Sequence, residues 1–261
     1  MSESVAHDRA VSRLLLVLPV VMSLLCWQFL SQSGWISELI LPAPTRVLSA
    51  AGDIGWTLIK HVAATTARIV LGLSIGILLG SALGLLMYMF RSFFVATDGL
   101  IETGRAVPPV AIVPFFILIF GFAEYGKLLL VALGTSMIIA VAAFESLRRV
   151  DASVVRVGQL ARLGRWQMLR LVLWPAALPS MRSSVRIALA TAVALVVTAE
   201  FMGARYGLGY LVNVSKVTLT TPTMLLAIVI LGWINWGLDR LVRLVFDHYC
   251  GWDLQSRIIN R

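Results

Sequence analysis

The chain has 261 residues, of which 59% are hydrophobic and 13% charged, with a mean hydropathy of +0.89 and a formal net charge of +9. A soluble globule carries about a quarter charged residues, so this chain has too few to coat a water-exposed surface. Disorder, collagen and a disulfide-rich secreted scaffold are excluded by the same figures. A basic excess can mark a nucleic-acid binder, but that use requires charge displayed on a soluble surface, and no nucleic-acid partner is expected.

Charge-free windows set out the elements in chain order. They cover 14–37, 69–90, 106–123, 128–144, 187–199 and 217–238, with lengths of 24, 22, 18, 17, 13 and 22 residues. A helix needs about 20 apolar residues to cross a bilayer, with a lower limit near 17. Five windows reach that limit; the 13-residue window reaches it if Arg186 or Glu200 lies within membrane depth. The runs are continuously apolar rather than alternating, which favours helices over barrel strands. The reading is an all-α, polytopic membrane protein with six transmembrane helices in one domain over 1–261. The spans fall at about 14–34, 62–90, 106–123, 127–146, 184–204 and 220–246, with a cytoplasmic loop at about 147–183.

Arg9 and Arg13 precede the apolar run Leu14–Leu25, as they would in a secretory signal. No small-residue cleavage site follows and the run extends through Trp27 and Leu30, so an uncleaved first helix is expected. Cys26 and Cys250 then fall near opposite membrane faces, which forbids a disulfide, and His7, His61 and His248 are too scattered to suggest a metal site. The second span carries Gly72, Gly76, Gly80 and Gly84 at a spacing of four, which puts them on one helix face. Such a groove serves close helix packing, with a substrate path along it as the lesser alternative.

The third span opens on Arg105-Ala106-Val107-Pro108-Pro109, and Pro114 follows. Pro108 and Pro109 either begin a helix or, with Pro114, break one so that it lines a translocation pathway. Gly121–Lys127 followed by Leu128 nearly spells a phosphate-binding loop, but Leu128 replaces the hydroxyl that would hold Mg²⁺, and no strand-to-helix context surrounds it. The loop between the fourth and fifth spans is longer than a connector needs. Asp151–Trp166 reads as an amphipathic helix with Arg156, Arg162 and Arg165 on it; Gly164 breaks it, and Pro175 and Pro179 end a second segment. Such a pair at the membrane face takes either anionic lipid or a soluble protein. Glu200 lies in the outer third of the fifth span, either as a pathway group or as an interfacial carboxylate paired with Arg205.

Sixteen of the 22 Lys and Arg fall on the face that holds both termini and the long loop; Arg46, Lys60, Arg68, Lys127, Arg205 and Lys216 fall on the other. The positive-inside rule makes the first face cytoplasmic. Trp35, Trp56, Tyr206 and Tyr210 then lie near the outer interface and Trp166 in the inner loop, where aromatic side chains anchor.

The stretch Val150-Asp151, Gln159, Arg165-Trp166 and Leu173-Trp174-Pro175-Ala176-Ala177-Leu178-Pro179 resembles the ATPase-docking loop of ABC importer permeases. Leu41-Pro42-Ala43-Pro44-Thr45-Arg46-Val47-Leu48, Arg105–Pro109 with Pro114, Phe120-Gly121, Gly126-Lys127, Ala199-Glu200 and Gly207–Leu211 are similar, in order, to the nitrate, sulfonate and taurine group. The resemblance implies a type I ABC importer permease (MetI-like) fold in a bacterial inner membrane. It implies a non-catalytic transport subunit, most simply a homodimer, moving a small, anionic solute. Its partners would be a cytoplasmic ABC ATPase dimer, which holds the ATP and Mg²⁺, a periplasmic solute-binding protein and membrane lipid, with no cofactor on this chain. An ion-coupled secondary carrier using Glu200 is the alternative.

The coupling loop so implied comprises Asp151, Val155, Arg156, Val157, Gly158, Gln159, Arg162, Leu163, Gly164, Arg165 and Trp166. The family's loop reads E-A-A followed by a glycine four residues on. Aligned on Trp166 and Pro175, those positions hold Arg156, Val157, Gly158 and Arg162, so a glutamate and a glycine are both arginine here.

Overall fold

A computed structural model describes residues 18–251. Its helices, in chain order, are α1 Leu18–Gln32, α2 Pro44–Ile54, α3 Trp56–Met89, α4 Arg91–Ala106, α5 Val113–Phe120, α6 Glu124–Arg148, α7 Ala152–Leu160, α8 Arg165–Met168, α9 Trp174–Gly203, α10 Leu208–Val217 and α11 Thr221–Tyr249. Four segments are long and apolar enough to cross a membrane: α3, α6, the continuous helical run Arg165–Gly203, and α11. The third expected span is instead a bent pair, α4 and the segment Pro109–Phe120, turned by 87°. The first expected span is described only from Leu18; Arg9, Arg13, Arg257 and Arg261 lie outside the described residues.

The described residues form two compact units. One comprises the chain up to Lys60 with Leu211–Ile230. Pro44 starts α2 where its missing N–H has no helical partner to lose, and Gly55 ends it at φ +59°. Val47 and Ala50 of α2 pack with Leu226, flanked by Trp27. The connecting backbone is tied down by side chains: Trp27 Nε1 donates to Pro42 O at 3.1 Å, Ser31 Oγ to Leu41 O at 2.9 Å, and Thr221 Oγ1 to Leu39 O at 2.6 Å.

The second unit comprises His61–Tyr210 and the chain from Leu231. Its core joins α3, α5, α6 and α9 through Ile69, Val113, Val131, Ile139, Ala188 and Leu195. The four glycines of α3 lie directly on α6: Gly72 faces Val131, Gly76 faces Thr135, Gly80 faces Ser136 and Ile139, and Gly84 faces Ala140 and Ala143. Both sets of numbers rise together, so the two helices run in the same direction, as alternate spans of an up-and-down bundle must. A Cβ placed on Gly80 would stand 2.5 Å from the Ser136 carbonyl oxygen and 2.7 Å from Ile139 Cβ. Backbone cannot yield as a flexible side chain can, and overpacking a fixed contact costs about 1–3 kcal/mol or more. Gly80→Val is therefore expected to lower the yield of folded protein severalfold, read by size-exclusion recovery from membranes. The same change at Gly99, which has nothing within 4 Å of an added Cβ, leaves recovery unchanged.

One proline reading needs correction, and one open alternative is narrowed. Pro175 and Pro179 do not end a helix: the chain passes from α8 through a π turn, Leu169–Leu173, straight into α9, with Pro179 inside it. Pro175 falls in the first turn of α9, and the wider π turn ahead of it frees carbonyls without breaking the helix. Continuous helix therefore begins at Arg165, inside the expected loop. Pro114 likewise kinks nothing. It sits in the first turn of α5, and the break lies at Val107–Pro108, where α4 ends in extended backbone.

Candidate functional site

On α3, His61, Thr65 and Arg68 follow one another at i, i+4 and i+7, the face that the glycines continue. Two turns of a long apolar helix thus carry polar groups inward, and all three are buried. Glu200 of α9 meets them with no exposed surface at all. Its carboxylate accepts from Thr65 Oγ1 at 2.9 and 3.0 Å, from Arg68 Nη1 at 2.7 Å and from the Gly209 N–H at 2.8 Å. Thr65 Oγ1 in turn accepts from the Leu208 N–H at 2.8 Å, and His61 Nδ1 lies 3.0 Å from the Gly207 N–H. The His61 ring stacks on Tyr210 with centroids 5.9 Å apart.

The network clamps the segment Tyr206–Tyr210 onto α3 and α9, and its glycines make that possible. A Cβ on Gly207, where φ is +147°, would collide with the Glu200 carboxylate; one on Gly209 would stand 2.7 Å from the Val197 carbonyl oxygen. Arg68 completes the arrangement by donating from Nη1 to Tyr206 O at 2.7 Å. It also holds Glu124 in a two-pronged grip, Nε to Oε2 at 2.7 Å and Nη2 to Oε1 at 2.8 Å. Lys127 Nζ reaches the same Glu124 Oε1 at 2.9 Å.

Several sequence expectations change here. The partner of Glu200 is Arg68, not Arg205, which is exposed. Arg68, counted among the outer-face charges, is 8% exposed inside the bundle. Lys127 of the near phosphate loop is committed to Glu124, and the motif's first glycine, Gly121, ends α5 at φ +62°. Glu200 has no exposed surface. Pro109 borders a space of about 330 Å³ with Gly104, Phe116, Gly134 and Thr191, while Pro108 and Pro114 are exposed. The sequence reading missed Thr65, Arg68 and Glu124. The stripe at 61, 65, 68, 72, 76 was available as a signal, but a charge-free window beginning at residue 69 hid it.

The second site is the loop ahead of α9. Asp151 caps α7, with Oδ1 accepting from the Ser153 N–H at 2.7 Å. Hydrogen bonding by the Ser153 side chain and then its N–H, with desolvation opposing and Arg156 nearby, holds the Asp151 carboxyl below its ordinary range. A depressed carboxyl contributes its stability above its unfolded pKa and loses it as pH falls through the folded one, so the cap is complete at neutral pH.

At the other end of α7 the chain turns sharply. Leu163 N donates to Gly158 O at 3.2 Å and Arg162 N to Gln159 O at 2.9 Å, with Arg162 at φ +49°. These two bonds around a left-handed residue are the pattern that usually places glycine just past a helix end. The sequence resemblance sets Arg162 against a glycine, and here the arginine itself takes the left-handed conformation. Gly158, at the second alanine position, is buried; an added Cβ would stand 2.6 Å from Met168 Sδ. Val157, Leu160 and Trp166 are 67%, 84% and 60% exposed, amid exposed Arg156, Arg162 and Arg165. Val155 and Leu163 are half-buried, Gln159 is exposed, and exposed Gly164 donates its N–H to Gln167 Oε1 at 3.1 Å.

A non-glycine residue in the left-handed region costs about 1–2 kcal/mol. Arg162→Gly recovers part of this, about 1 kcal/mol after the entropy of the freer unfolded chain. Hydrogen exchange at the Leu163 amide is expected to slow by about fivefold in Arg162→Gly, and an unchanged rate would show that the left-handed turn carries no strain.

Long apolar helices, a buried polar clamp and an exposed helical loop fit a polytopic membrane subunit. Residues 72–248 match the family described as "Binding-protein-dependent transport system inner membrane component", and the chain belongs to it. SsuC of Bacillus subtilis (strain 168), named as a candidate aliphatic sulfonates transport permease, is 30% identical over 239 residues, covering 91% of this chain and 86% of that protein. The taurine transport system permease protein TauC of Escherichia coli (strain K12) is 31% identical over 233 residues, covering 87% and 85%. The riboflavin transport system permease protein RibX of Chloroflexus aurantiacus is 30% identical over 244 residues, covering 90% of each chain. In fold, a chain of the inward-facing MetNI methionine ABC transporter superposes with a TM-score of 0.60 at 22% identity, over 74% of this chain and 98% of that one. The chain is thus a multi-pass ABC importer permease with the MetI-like fold.

Proposed function

We propose that this permease works as a homodimer with two cytoplasmic ABC ATPases and a periplasmic solute-binding protein, and that its solute is a small organic anion of the sulfonate class. The single observation that carries the ATPase reading is the segment Ala152–Met168. A capped helix, a left-handed turn at the family's glycine position and a small buried residue at its alanine position together present an apolar and basic surface. Its exposed arginines fit an ATPase cleft with acidic groups. ATP hydrolysis belongs to those partners, and this chain binds no cofactor. The excess of Lys and Arg on one face supports a cytoplasmic location for both termini.

The geometry supplies a lever. Helical structure runs unbroken from Arg165 to Gly203, 39 residues, or about 58 Å at 1.5 Å per residue. Motion of the ATPases at Trp166 is passed along this rod to Glu200 and the clamped Tyr206–Tyr210 segment. Lower on the rod, Arg182 pairs with Asp247 at 2.8 Å and Arg186 with Asp239 at 2.5 Å, so α11 is carried with α9. Sulfonate transport is supported by the relatives named for sulfonates and taurine; the riboflavin relative shows that 30% identity in this family also spans other solutes.

Native mass spectrometry of the chain expressed with its ATPase tests the assembly. Two copies of the permease with two of the ATPase are expected. A permease that never retains an ATPase, in detergent or in nanodiscs, would overturn the reading.

A further inference from the structure

A cavity of about 350 Å³ is lined by Arg68, Phe122, Glu124, Lys127, Gly203, Arg205 and Tyr206. That is within the size range of small-ligand pockets, roughly 300–1,000 Å³, and three of its seven lining residues are cations. Arg68 and Lys127 are 8% and 6% exposed, whereas the Glu124 side chain that neutralises them is 59% exposed. The carboxylate is therefore a solvent-side occupant of a buried pair of cations. Arg68 is anchored independently of it, through Glu200 and Tyr206 O. Lys127 is not: among the described residues its ammonium donates to Glu124 alone. A buried ammonium that loses its only partner is costly, so Glu124 leaves only when another anion takes its place. Arg205 stands at the same cavity, exposed and without an ion pair among the described residues, available to attract that anion first.

We propose that Arg68 and Lys127 form an oxyanion site for the transported solute, and that Glu124 is its exchangeable resident. A guanidinium edge gripping two oxygens, with an ammonium on one of them, fits a sulfonate as it fits a carboxylate. The proposal rests on the anionic-solute reading above and extends it to a specific station on the permease. Occupation by Glu124 sets a weak affinity, which suits a site that must release what it takes up.

The test uses the assembled permease–ATPase complex in nanodiscs, with ethanesulfonate as probe and uncharged ethyl methyl sulfone as control, measured by calorimetry. Glu124→Gln removes the competing charge and is expected to bind ethanesulfonate at least tenfold more tightly than the unsubstituted complex. Glu124→Asp, which keeps the charge, stays within threefold of it. Arg205→Gln is expected to weaken binding about fivefold, and the sulfone binds to none. Equal or weaker affinity in a folded Glu124→Gln complex would overturn the proposal, as would equal affinities for sulfonate and sulfone. If Glu124→Gln does not fold, the exposed Arg205→Gln variant decides: affinity equal to that of the unsubstituted complex overturns it. A complex that assembles with its ATPase yet shows no gain in Glu124→Gln sinks this site alone; failure to assemble sinks the functional reading.

Discussion

Arg68→Met is expected to destabilise the folded permease by about 3–5 kcal/mol, the usual cost of leaving one member of a buried ion pair without its partner. Glu200 is wholly enclosed, and Arg68 supplies its only cation among the described residues. Without Arg68 the carboxylate keeps Thr65 and the Gly209 N–H but no counter-charge. Glu200→Gln is milder, about 1–2 kcal/mol, because the amide oxygen still accepts from Arg68 and the loss is one charge-assisted bond. The double variant Arg68→Met with Glu200→Gln removes both charges and is expected to recover at least about 2 kcal/mol of the single Arg68 loss, a coupling that a thermal-denaturation cycle in detergent measures directly. Additive effects would show that the pair does not hold the clamp. A folded Glu200→Gln permease should retain ATP-driven uptake within twofold, since the clamp needs shape and hydrogen bonds rather than a titrating proton; abolished uptake in a folded protein would restore the relay role.

Charge reversal at the loop carries the second large effect. Arg156→Glu combined with Arg162→Glu changes the docking surface by four charges, and both side chains are exposed, so the permease itself should fold normally. Placing like charges against an acidic cleft costs several kcal/mol, and co-purification of the ATPase is expected to fall at least tenfold at low salt. Raising ionic strength should shrink the difference, because exposed charges are screened. Retention of the complex at both low and high salt would mean that Val157, Leu160 and Trp166 make the contact without help from charge. The backbone at Arg162 is left-handed, and a glutamate placed there inherits the same strain as the arginine. A loss of ATPase in Arg162→Glu therefore reports charge rather than backbone geometry.

Hydrophobicity made the helical architecture readable, because a bilayer demands long apolar runs whatever else a chain does. The glycine stripe on α3 was readable for the same reason: spacing alone puts residues 72, 76, 80 and 84 on one face. What one dimension could not supply was pairing across the chain. Glu200 lies five residues from Arg205 and 132 from Arg68, and proximity in sequence pointed to the wrong partner. Arg68 borders an apolar window in sequence, yet its helix extends back to Trp56 and carries it into the bundle. Proline misled at Pro175 and Pro179, whereas for Pro108, Pro109 and Pro114 two readings stayed open and the chain does bend at Val107–Pro108. Pro175 and Pro114 are tolerated in first turns, and the π turn that absorbs the break before Pro175 leaves no compositional mark. The left-handed turn at Arg162 was likewise invisible, since only glycine or asparagine advertises that geometry.

Uptake into proteoliposomes distinguishes ATP-driven import from ion-coupled transport. The permease, its ATPase and its binding protein are reconstituted with ATP inside and radiolabelled ethanesulfonate outside. Accumulation is expected to require all three proteins and hydrolysable ATP, and to persist when ion gradients are collapsed. Accumulation by the permease alone, driven by a proton or sodium gradient and indifferent to ATP, would contradict it.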